Sequence, residues 1–296
     1  MQTIKSTRFK IVEGTIFIVF DLEWNQPFIG KDYGFDVSTL KGDIIDIGAE
    51  KYVYTNGTLE YIGGLSKSVR PDTYRKLHYH VQKIINKTTK EVRQGMPFKE
   101  AFREYKKFCG NNYILVGWGN SDPEILKQNM KFYGFDDKIG MQFLDLQPVF
   151  SRFAGEKSKQ RSVEYAVDYY GIPKDDTFHS AWADSHYTGL IFKSIFDNND
   201  TAEVLSVIES SVSDPDAIKD FSFVSTECDT FEQACEATLK FPRVCPFCNK
   251  DFIENVPAFR IRKSIYALYD CEEHGQYFCR TRIKKSKKNK HWRSQH

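Results

Sequence analysis

Two carboxylates follow an apolar run near the beginning of the chain. Asp21 and Glu23 lie in the segment FDLEWNQ, at the end of the apolar run over residues 16–20. Side chains alternate along a strand, so residues two apart share one face. Two like charges side by side repel each other unless a cation lies between them. Taken alone, the segment is as typical of a strand that ends in solvent as of a cation-binding site.

Two other segments extend this acidic set. Asp122 follows the short apolar stretch YILVGW, where it could also cap a helix. Asp184 lies in FHSAWADSHYTG, five residues after His179. A helix that begins near Ser180 would place Asp184 one turn in and His179 just before the first turn. Both side chains would then face one cleft.

Carboxylates gathered in this way indicate a particular chemistry. Four of them around one cleft are costly unless cations balance their charge. Mg²⁺ and Mn²⁺ are hard ions that prefer oxygen ligands, and two of them about 3.5–4 Å apart can activate a water and stabilise a leaving oxygen. A neutral histidine beside them can accept the proton of that water. This pattern predicts phosphodiester hydrolysis, with the candidate set Asp21, Glu23, Asp122, His179 and Asp184.

In this order and at these intervals, three segments resemble the motifs of the DEDDh exonucleases. These are the DnaQ-like group of the ribonuclease H-like superfamily, which includes RNase T and the ERI-type RNA exonucleases. The segments are FDLEWNQ, GWGNSDPEIL and FHSAWADSHYTG, and the likeness extends from about residue 14 to 197. A sister group has tyrosine four residues before the last aspartate; here that position is Ser180, so the histidine version fits.

The resemblance implies roles for individual residues. The four carboxylates would bind two Mg²⁺ or Mn²⁺ ions, His179 would be the general base, and the reaction would remove nucleoside monophosphates in the 3′-to-5′ direction. Leu22 and Trp24, inside the first motif, would hold the terminal nucleotide, and Trp24 could stack on a base. Packing of Trp24 on the sheet edge is an equally good interpretation. The likeness to ERI-type enzymes favours RNA over DNA, by analogy only.

The elements that must position these residues follow from the hydrophobic pattern. Residues 15–21 and 43–54 are typical of strands, and Asn56-Gly57 is a hairpin signal that leads into a third. Helical spacing then alternates with the short apolar stretches YILVGWG and MQFLDLQ. We therefore predict an α/β, ribonuclease H-like fold with a mixed five-stranded sheet flanked by helices. The exonuclease domain would span 14–198, followed by a linker with one helix over 199–241.

A cysteine pattern near the end of the chain predicts a second metal site. Cys245 and Cys248 are followed, after 22 residues, by Cys271 and His274. This C-x₂-C…C-x₂-H spacing suits tetrahedral Zn²⁺, so residues 242–283 are predicted to form a zinc ribbon with one structural ion. Cys279 is the alternative fourth ligand, although its place in an alternating strand favours packing. Reduced thiols without metal are the other interpretation.

Charge is distributed unevenly along the chain. The net charge is +2, but residues 280–296 carry eight Lys or Arg and no acid, leaving about −6 on the rest. A basic tail over 284–296 is typical of a segment that contacts phosphates. Aromatic side chains of the ribbon and tail could add stacking; they are Phe247, Tyr266, Tyr277 and Trp292. The ribbon could instead bind a protein partner.

The combined prediction is a metal-dependent 3′-to-5′ exonuclease that acts on the 3′ ends of single-stranded RNA or DNA. No run approaches the roughly 20 apolar residues of a membrane span, and the first residues lack the apolar core of a signal peptide. We therefore expect a cytoplasmic protein. The alternative is a catalytically weak nucleic-acid-binding or regulatory adaptor that uses the same fold. The presence of all five motif residues favours the enzyme.

Overall fold

The chain divides into two compact units, Met1–Ala217 and Ile218–His296, and each is described by itself. The computed structural model describes residues 10–136, 142–156, 160–176, 178–213, 228–239, 244–245, 248, 250–273, 275–285 and 292–295. Within these ranges, no helix combines the length and the apolar character that crossing a membrane requires.

A six-stranded mixed sheet forms the centre of the first unit, as far as its described residues extend. Its strands are β1 (Ile16–Asn25), β2 (Asp43–Thr55), β3 (Thr58–Arg70), β4 (Met96–Pro97), β5 (Tyr113–Gly117) and β6 (Gln142–Asp145). They lie in the order β4-β3-β2-β1-β5-β6. The pairs β1–β2 and β2–β3 are antiparallel, and β3–β4, β1–β5 and β5–β6 are parallel.

The predicted α/β fold with a mixed sheet is confirmed, but the sheet has one strand more than predicted. The additional strand is β4, which has two residues and therefore no alternation that a sequence pattern could reveal. The predicted hairpin lies where expected: Asn56 and Gly57 both have positive φ, 51° and 82°, between β2 and β3. Such dihedrals match the twist of paired strands in a two-residue turn.

Helices cover both faces of this sheet. They are α1 (Tyr79–Ile85), α2 (Thr89–Val92), α3 (Phe98–Cys109), α4 (Ser121–Phe132), α5 (Leu146–Phe153), α6 (Val163–Tyr170), α7 (Ala181–Asn198) and α8 (Thr201–Ser211). Alternate residues of β1 feed two cores: Phe17 and Val19 join the core with α5–α8, and Ile18 and Phe20 join the core with α3 and α4. Both faces of β1 are therefore packed against core residues, which holds its carboxyl end rigidly.

The span 199–241 differs from the predicted linker with one helix. Its described residues form two helices, α8 and α9 (Phe231–Leu239). Val204, Val207 and Ile208 of α8 are buried in the core of the first unit. Val207 and Ile208 lie three and four residues after Val204, which is the spacing of a short amphipathic helix. The sequence analysis did not recognise this helix among the surrounding polar residues. The division of the remaining chain into ribbon and tail stays a prediction.

A four-stranded antiparallel sheet dominates the described part of the second unit. Its strands are β7 (Ile253–Ile261), β8 (Ser264–Cys271), β9 (Gly275–Lys285) and β10 (Trp292–Gln295), in the order β10-β9-β8-β7. Helix α9 packs on one face, where Ala234 meets Ile265 and Ile283. Strand β10 lies inside the predicted basic tail. Its Trp292 packs on Phe231 of α9, with ring centroids 5.2 Å apart.

Candidate active site

Asp21 and Glu23 lie near the end of β1, on the face that α7 crosses. In the pairing of β1 with β2, Asp21 is opposite Gly48 and Glu23 is opposite Asp46. A Cβ atom on Gly48 would lie 1.9 Å from the carbonyl oxygen of Ala181. The first turn of α7 can therefore approach the sheet beside Asp21 only because position 48 is glycine.

Helix α7 brings the last acid to this point. The side chain of Ser180 caps the helix by accepting a hydrogen bond from the amide of Ala183, at 3.1 Å. Asp184 lies in the first turn, and its Oδ2 accepts a hydrogen bond from the amide of His179, at 3.1 Å. Carboxylate oxygens of Asp21, Glu23 and Asp184 all lie within 4.8 Å of one another.

His179 precedes the helix in an uncommon backbone conformation. Its φ is 71°, in the left-handed region that non-glycine residues seldom adopt. The hydrogen bond from its amide to Asp184 holds it there. Its ring is exposed and lines the same cavity as the acids. Backbone outliers of this kind cluster at functional sites, where the surrounding structure enforces them.

Asp122 reaches the group from the opposite side of β1. It lies in the first turn of α4, and its Oδ1 accepts a hydrogen bond from the amide of Leu22, at 3.1 Å. Asn120, not Asp122, is the N-cap residue of α4. The interpretation of Asp122 as a helix cap is therefore wrong, and its carboxylate, 6% exposed, instead contacts the strand that carries the first two acids.

Burial raises the pKa of every one of these carboxyl groups, and repulsion by neighbouring acids raises it further for Asp21, Glu23 and Asp122. The pKa of Glu23 rises to about 7, mainly through burial and then through the charges of Asp184, Asp46 and Asp122. Burial also raises the pKa of Asp122 to about 7. The pKa of Asp21 lies well above its usual range, from burial first and then from the neighbouring acids, and that of Asp184 is raised by burial. The cluster thus holds more negative charge than the protein balances.

This donor set fits divalent cations. The groups are carboxylate oxygens, they converge from three elements, and their raised pKa values show that a positive charge among them would be stabilising. A cavity of about 340 Å³ opens beside them. It is lined by Asp21, Leu22, Glu23, Trp24, Gln26, Val81, Ile84, Ile85, Trp118, Ser121, Asp122, His179 and Asp184.

The two predicted nucleotide-binding residues differ in what they offer to this cavity. The side chain of Leu22 is 2% exposed and packs in the core, so the cavity meets little of it. Trp24 is partly exposed, and its ring lies directly against Gly42, where a Cβ would come within 2.3 Å of Cδ1. Trp24 therefore packs against Gly42 and also lines the cavity, and its stacking on a base stays a prediction.

Asp46 and Lys87 were missed by the sequence analysis. The side chain of Asp46 is 8% exposed, and Lys87 Nζ lies 2.9 Å from its Oδ2. Asp46 raises the pKa of Glu23, and Lys87 lowers it. Only the register of β1 against β2 places Asp46 beside Glu23, and a sequence does not reveal register. The available signal was an acid inside the apolar stretch DIIDIGA.

Three of the four predicted zinc ligands can be located in the second unit. The Sγ atoms of Cys245, Cys248 and Cys271 lie within 4.8 Å of one another, with Cys248 and Cys271 3.6 Å apart. His274 lies outside the described residues. Cys279 pairs with Ala267, four residues along β8 from Cys271, or about 13 Å away at the usual strand rise. That separation excludes Cys279 from a site shared with these thiols.

Comparison with known proteins agrees with this geometry. The family model RNase_T, described as "Exonuclease", matches residues 18–192. The probable 3′-5′ exonuclease KapD of Bacillus subtilis (strain 168) is 25% identical over 177 residues, which cover 60% of this chain and 82% of KapD.

Solved structures of low sequence identity share the fold. The nuclease domain of 3′hExo, a DEDDh family member bound to rAMP, has a TM-score of 0.51 at 15% identity and covers 63% of this chain and 94% of that domain. Cell-death related nuclease 4 (CRN-4) has a TM-score of 0.51 at 13% identity, with 64% of this chain and 66% of CRN-4 covered. The family model accounts for more than half of the sequence, and this chain therefore belongs to the RNase T family of 3′-to-5′ exonucleases and shares the fold of the DEDDh family member 3′hExo.

Proposed function

We propose that this exonuclease removes nucleoside monophosphates from the 3′ ends of single-stranded nucleic acid by two-metal catalysis, with RNA preferred over DNA. The observation that carries the proposal is the convergence of Asp21, Glu23 and Asp184 within 4.8 Å at the cavity that Asp122 and His179 also line. Family membership supports the direction of hydrolysis and the class of substrate.

The carboxylates of Asp21, Glu23, Asp122 and Asp184 would hold two Mg²⁺ or Mn²⁺ ions. When bound, such ions polarise a phosphodiester and lower the pKa of a water molecule. The chain itself contributes the arrangement of its ligands, since Gly48 lets α7 approach β1 and Leu22 orients the carboxylate of Asp122. Little reorganisation of these ligands would then be needed when substrate arrives.

His179 is the general base in this proposal. Its exposed imidazole would accept a proton from the attacking water at a ring nitrogen and release it to solvent. The amide bond to Asp184 and the left-handed backbone hold the residue at the cavity. A general base positioned in this way contributes about 10²–10⁴-fold to a rate.

The terminal nucleotide would lie between the acids and Trp24. A partly exposed indole beside the catalytic carboxylates can stack on a base. Leu22 would contribute through its backbone, because its side chain is buried. The preference for RNA is supported by analogy with 3′hExo, whose nuclease domain was solved with rAMP.

Zinc is proposed for the cysteine cluster, with His274 completing the ligands Cys245, Cys248 and Cys271. Three thiol sulfurs within 4.8 Å suit a tetrahedral ion, and both Cys245 and Cys271 are buried. Four protein ligands would leave no open position, so the ion would be structural.

End-labelled cleavage tests the proposed activity. Single-stranded RNA and DNA of matched sequence would be incubated with Mn²⁺, alongside the Asp21→Ala variant and an EDTA control. We expect a ladder that shortens from the 3′ end, disappears with EDTA and with the substitution, and grows faster on RNA. A folded, zinc-loaded protein that yields no ladder on either strand would contradict the proposal and favour a binding or regulatory role. A faster ladder on DNA would overturn the RNA preference alone.

A further inference from the structure

The sheet of the second unit has two unlike faces. Helix α9 covers one of them, which we call the inner face, through the contact of Ala234 with Ile265 and Ile283. Side chains alternate along β8, so Tyr266 points to the opposite side, the outer face. Phe259, Arg280 and Arg282 on that side are exposed, so the outer face is open to solvent.

Aromatic and cationic side chains lie next to one another on the outer face. Phe259, Tyr266 and Arg280 form one row across β7, β8 and β9. The rings of Phe259 and Tyr266 are stacked, with centroids 5.7 Å apart and planes at 24°. The guanidinium of Arg280 lies 5.8 Å from the centroid of Tyr266. Phe259 is 49% exposed, although a large aromatic ring usually gains by burial.

Positive charges continue along β9 beyond this row. Arg280, Arg282 and Lys284 alternate on the outer face and are all exposed. The strand rise places successive members about 7 Å apart, in a straight line. One described acid, Asp270, lies on the same face. It is four residues along β8 from Tyr266, or about 13 Å away, and it accepts a hydrogen bond from Asn255.

We propose that the outer face binds single-stranded nucleic acid. Bases would stack on Phe259 and Tyr266, and phosphates would lie along Arg280, Arg282 and Lys284. Stacking on exposed rings combined with a line of cations is how proteins bind single strands without reading sequence. Arginine beside aromatic rings is also common at protein–protein interfaces. What favours nucleic acid here is the unbroken line of three exposed cations along β9, which suits a polyanion.

The structure also separates these residues from other aromatic side chains that the sequence suggested for stacking. Trp292 packs on Phe231 beside α9, and Tyr277 lies against Phe252, with centroids 4.9 Å apart. Both are partly buried and lie on the inner side of the sheet. Phe247 lies outside the described residues. Among the suggested aromatics that the structure describes, Tyr266 is the one on the outer face.

The inference rests on the proposed function, because the bound strand would be the one whose 3′ end is hydrolysed. Affinity would be measured by fluorescence anisotropy in an Asp21→Asn background, with labelled RNA and DNA strands of about 20 nucleotides, longer than a compact domain usually covers. The variants are Tyr266→Ala and the double substitution Arg280→Ala with Arg282→Ala. A matched control removes two exposed lysines of α3, Lys99→Ala with Lys107→Ala. Circular dichroism and zinc content would verify that each full-length variant is folded.

We expect Tyr266→Ala to weaken binding about tenfold, as the loss of one stacked base does. The arginine double variant should lower the salt dependence by about 1.4 in the log–log slope, since each cation on a single strand contributes about 0.7. In the active chain, kcat/KM for the long strand should fall by the same factors, and that for a trinucleotide should fall far less.

Two outcomes would overturn the inference. Outer-face variants could bind the long strand like the wild type, or the lysine control could lose as much affinity as the arginine variant. Failure of the proposed function looks different, because the wild type would then cleave neither the trinucleotide nor the long strand. The RNA and DNA arms show which strand the face prefers, and strong binding of either supports the inference.

Discussion

Lys87 stands out at the scale of single residues, because it is a cation in contact with an acidic cluster. It pairs with Asp46 at 2.9 Å and lowers the pKa of Glu23. In the absence of metal it offsets part of the repulsion among the acids. With metal bound, the same charge opposes the ions. If the acids hold divalent cations as proposed, Lys87 would limit how tightly those ions bind.

Replacing Lys87 by Met should separate these two effects. We expect the metal-free variant to lose about 1–2 kcal/mol of unfolding free energy, because Asp46 keeps a nearly buried, unbalanced charge. Mn²⁺ should bind about fivefold more tightly, since one opposing charge is gone. Urea titration and calorimetry measure the two quantities. Lys90→Met, at an exposed position of α2, is the control. Equal values for wild type and Lys87→Met would contradict the assignment.

The raised pKa values of Glu23 and Asp122, both about 7, predict how pH acts on the metal-free protein. A carboxyl group whose pKa is higher in the folded state binds its proton more tightly there. Its stabilising contribution is complete below the ordinary pKa near 4 and is lost as pH rises through about 7. Stability should therefore fall between pH 5 and pH 8, by about 1 kcal/mol per pH unit for each titrating group.

Melting temperatures of chelator-treated protein between pH 5 and pH 8 measure this effect. Asp122→Asn should flatten the profile, and saturating Mg²⁺ should flatten it in the wild type, because both remove the unbalanced charge. A metal-free melting temperature that does not change over this range would count against a repulsive cluster.

Sequence spacing predicted the five motif residues at this scale because each follows an apolar stretch or begins a helix. It could not predict Asp46, which depends on strand register, nor the buried side chain of Leu22. The left-handed backbone of His179 was equally hidden, since no glycine marks it.

At the scale of elements, the approach of α7 to β2 decides the geometry of the site. Gly48 permits that approach, and a Cβ there would meet the backbone of Ala181 at 1.9 Å. Backbone cannot rotate away as a side chain can, so the helix itself would have to shift. Asp184 and His179 would move with it.

Gly48→Ala should therefore reduce metal affinity and activity more than the addition of a single methyl group suggests. Overpacking of this kind typically costs about 1–3 kcal/mol, and we expect at least a tenfold weaker Mn²⁺ affinity from the displaced Asp184. Gly117→Ala is a suitable comparison, because its Cβ would meet side-chain rings, Phe143 at 3.3 Å and Phe20 at 3.7 Å, where Gly48 would meet backbone. Calorimetry with Mn²⁺ compares the two. If both variants bind metal alike, the close approach of α7 is not what positions Asp184.

Long elements were predicted from the sequence more successfully than short ones. The three meander strands and the amphipathic helices carry patterns over many residues. The two-residue strand β4 carries none, and α8 is a short helix directly before a polar, turn-rich segment, so the span was predicted as a linker. Strand β10 depends on the packing of Trp292 against Phe231, a contact between distant parts of the sequence.

At the scale of the whole molecule, the part of the second unit that the structure describes has a small apolar core. Among its described residues, the buried apolar cluster beneath the sheet consists of Ala234, Ile265 and Ile283, with partly buried neighbours. A domain of this size usually needs a metal or disulfides in addition to its core. The cysteine cluster can supply that stabilisation if it holds zinc.

We therefore expect one zinc ion per chain, measured by mass spectrometry of the metal content, and its loss in Cys248→Ser. Without zinc, the second unit should unfold, visible as early proteolysis after residue 240, while the first unit keeps its cooperative transition. Cys279→Ser is the control. Cys279 lies about 13 Å from Cys271, so this variant should retain zinc. Loss of zinc in Cys279→Ser, or a full zinc content in Cys248→Ser, would refute the site.

The acids of the active site come from β1, α4 and α7, so more than 160 residues separate the first, Asp21, from the last, Asp184. A ribosome delivers these elements in order, and α7 leaves the exit tunnel late. Until then the strand that carries Asp21 and Glu23 has no partner to complete the metal site, and a chain truncated before α7 lacks it permanently. In a nuclease built in this way, every fragment that ends before α7 lacks Asp184, so the full set of acids exists only after about two thirds of the chain has been made.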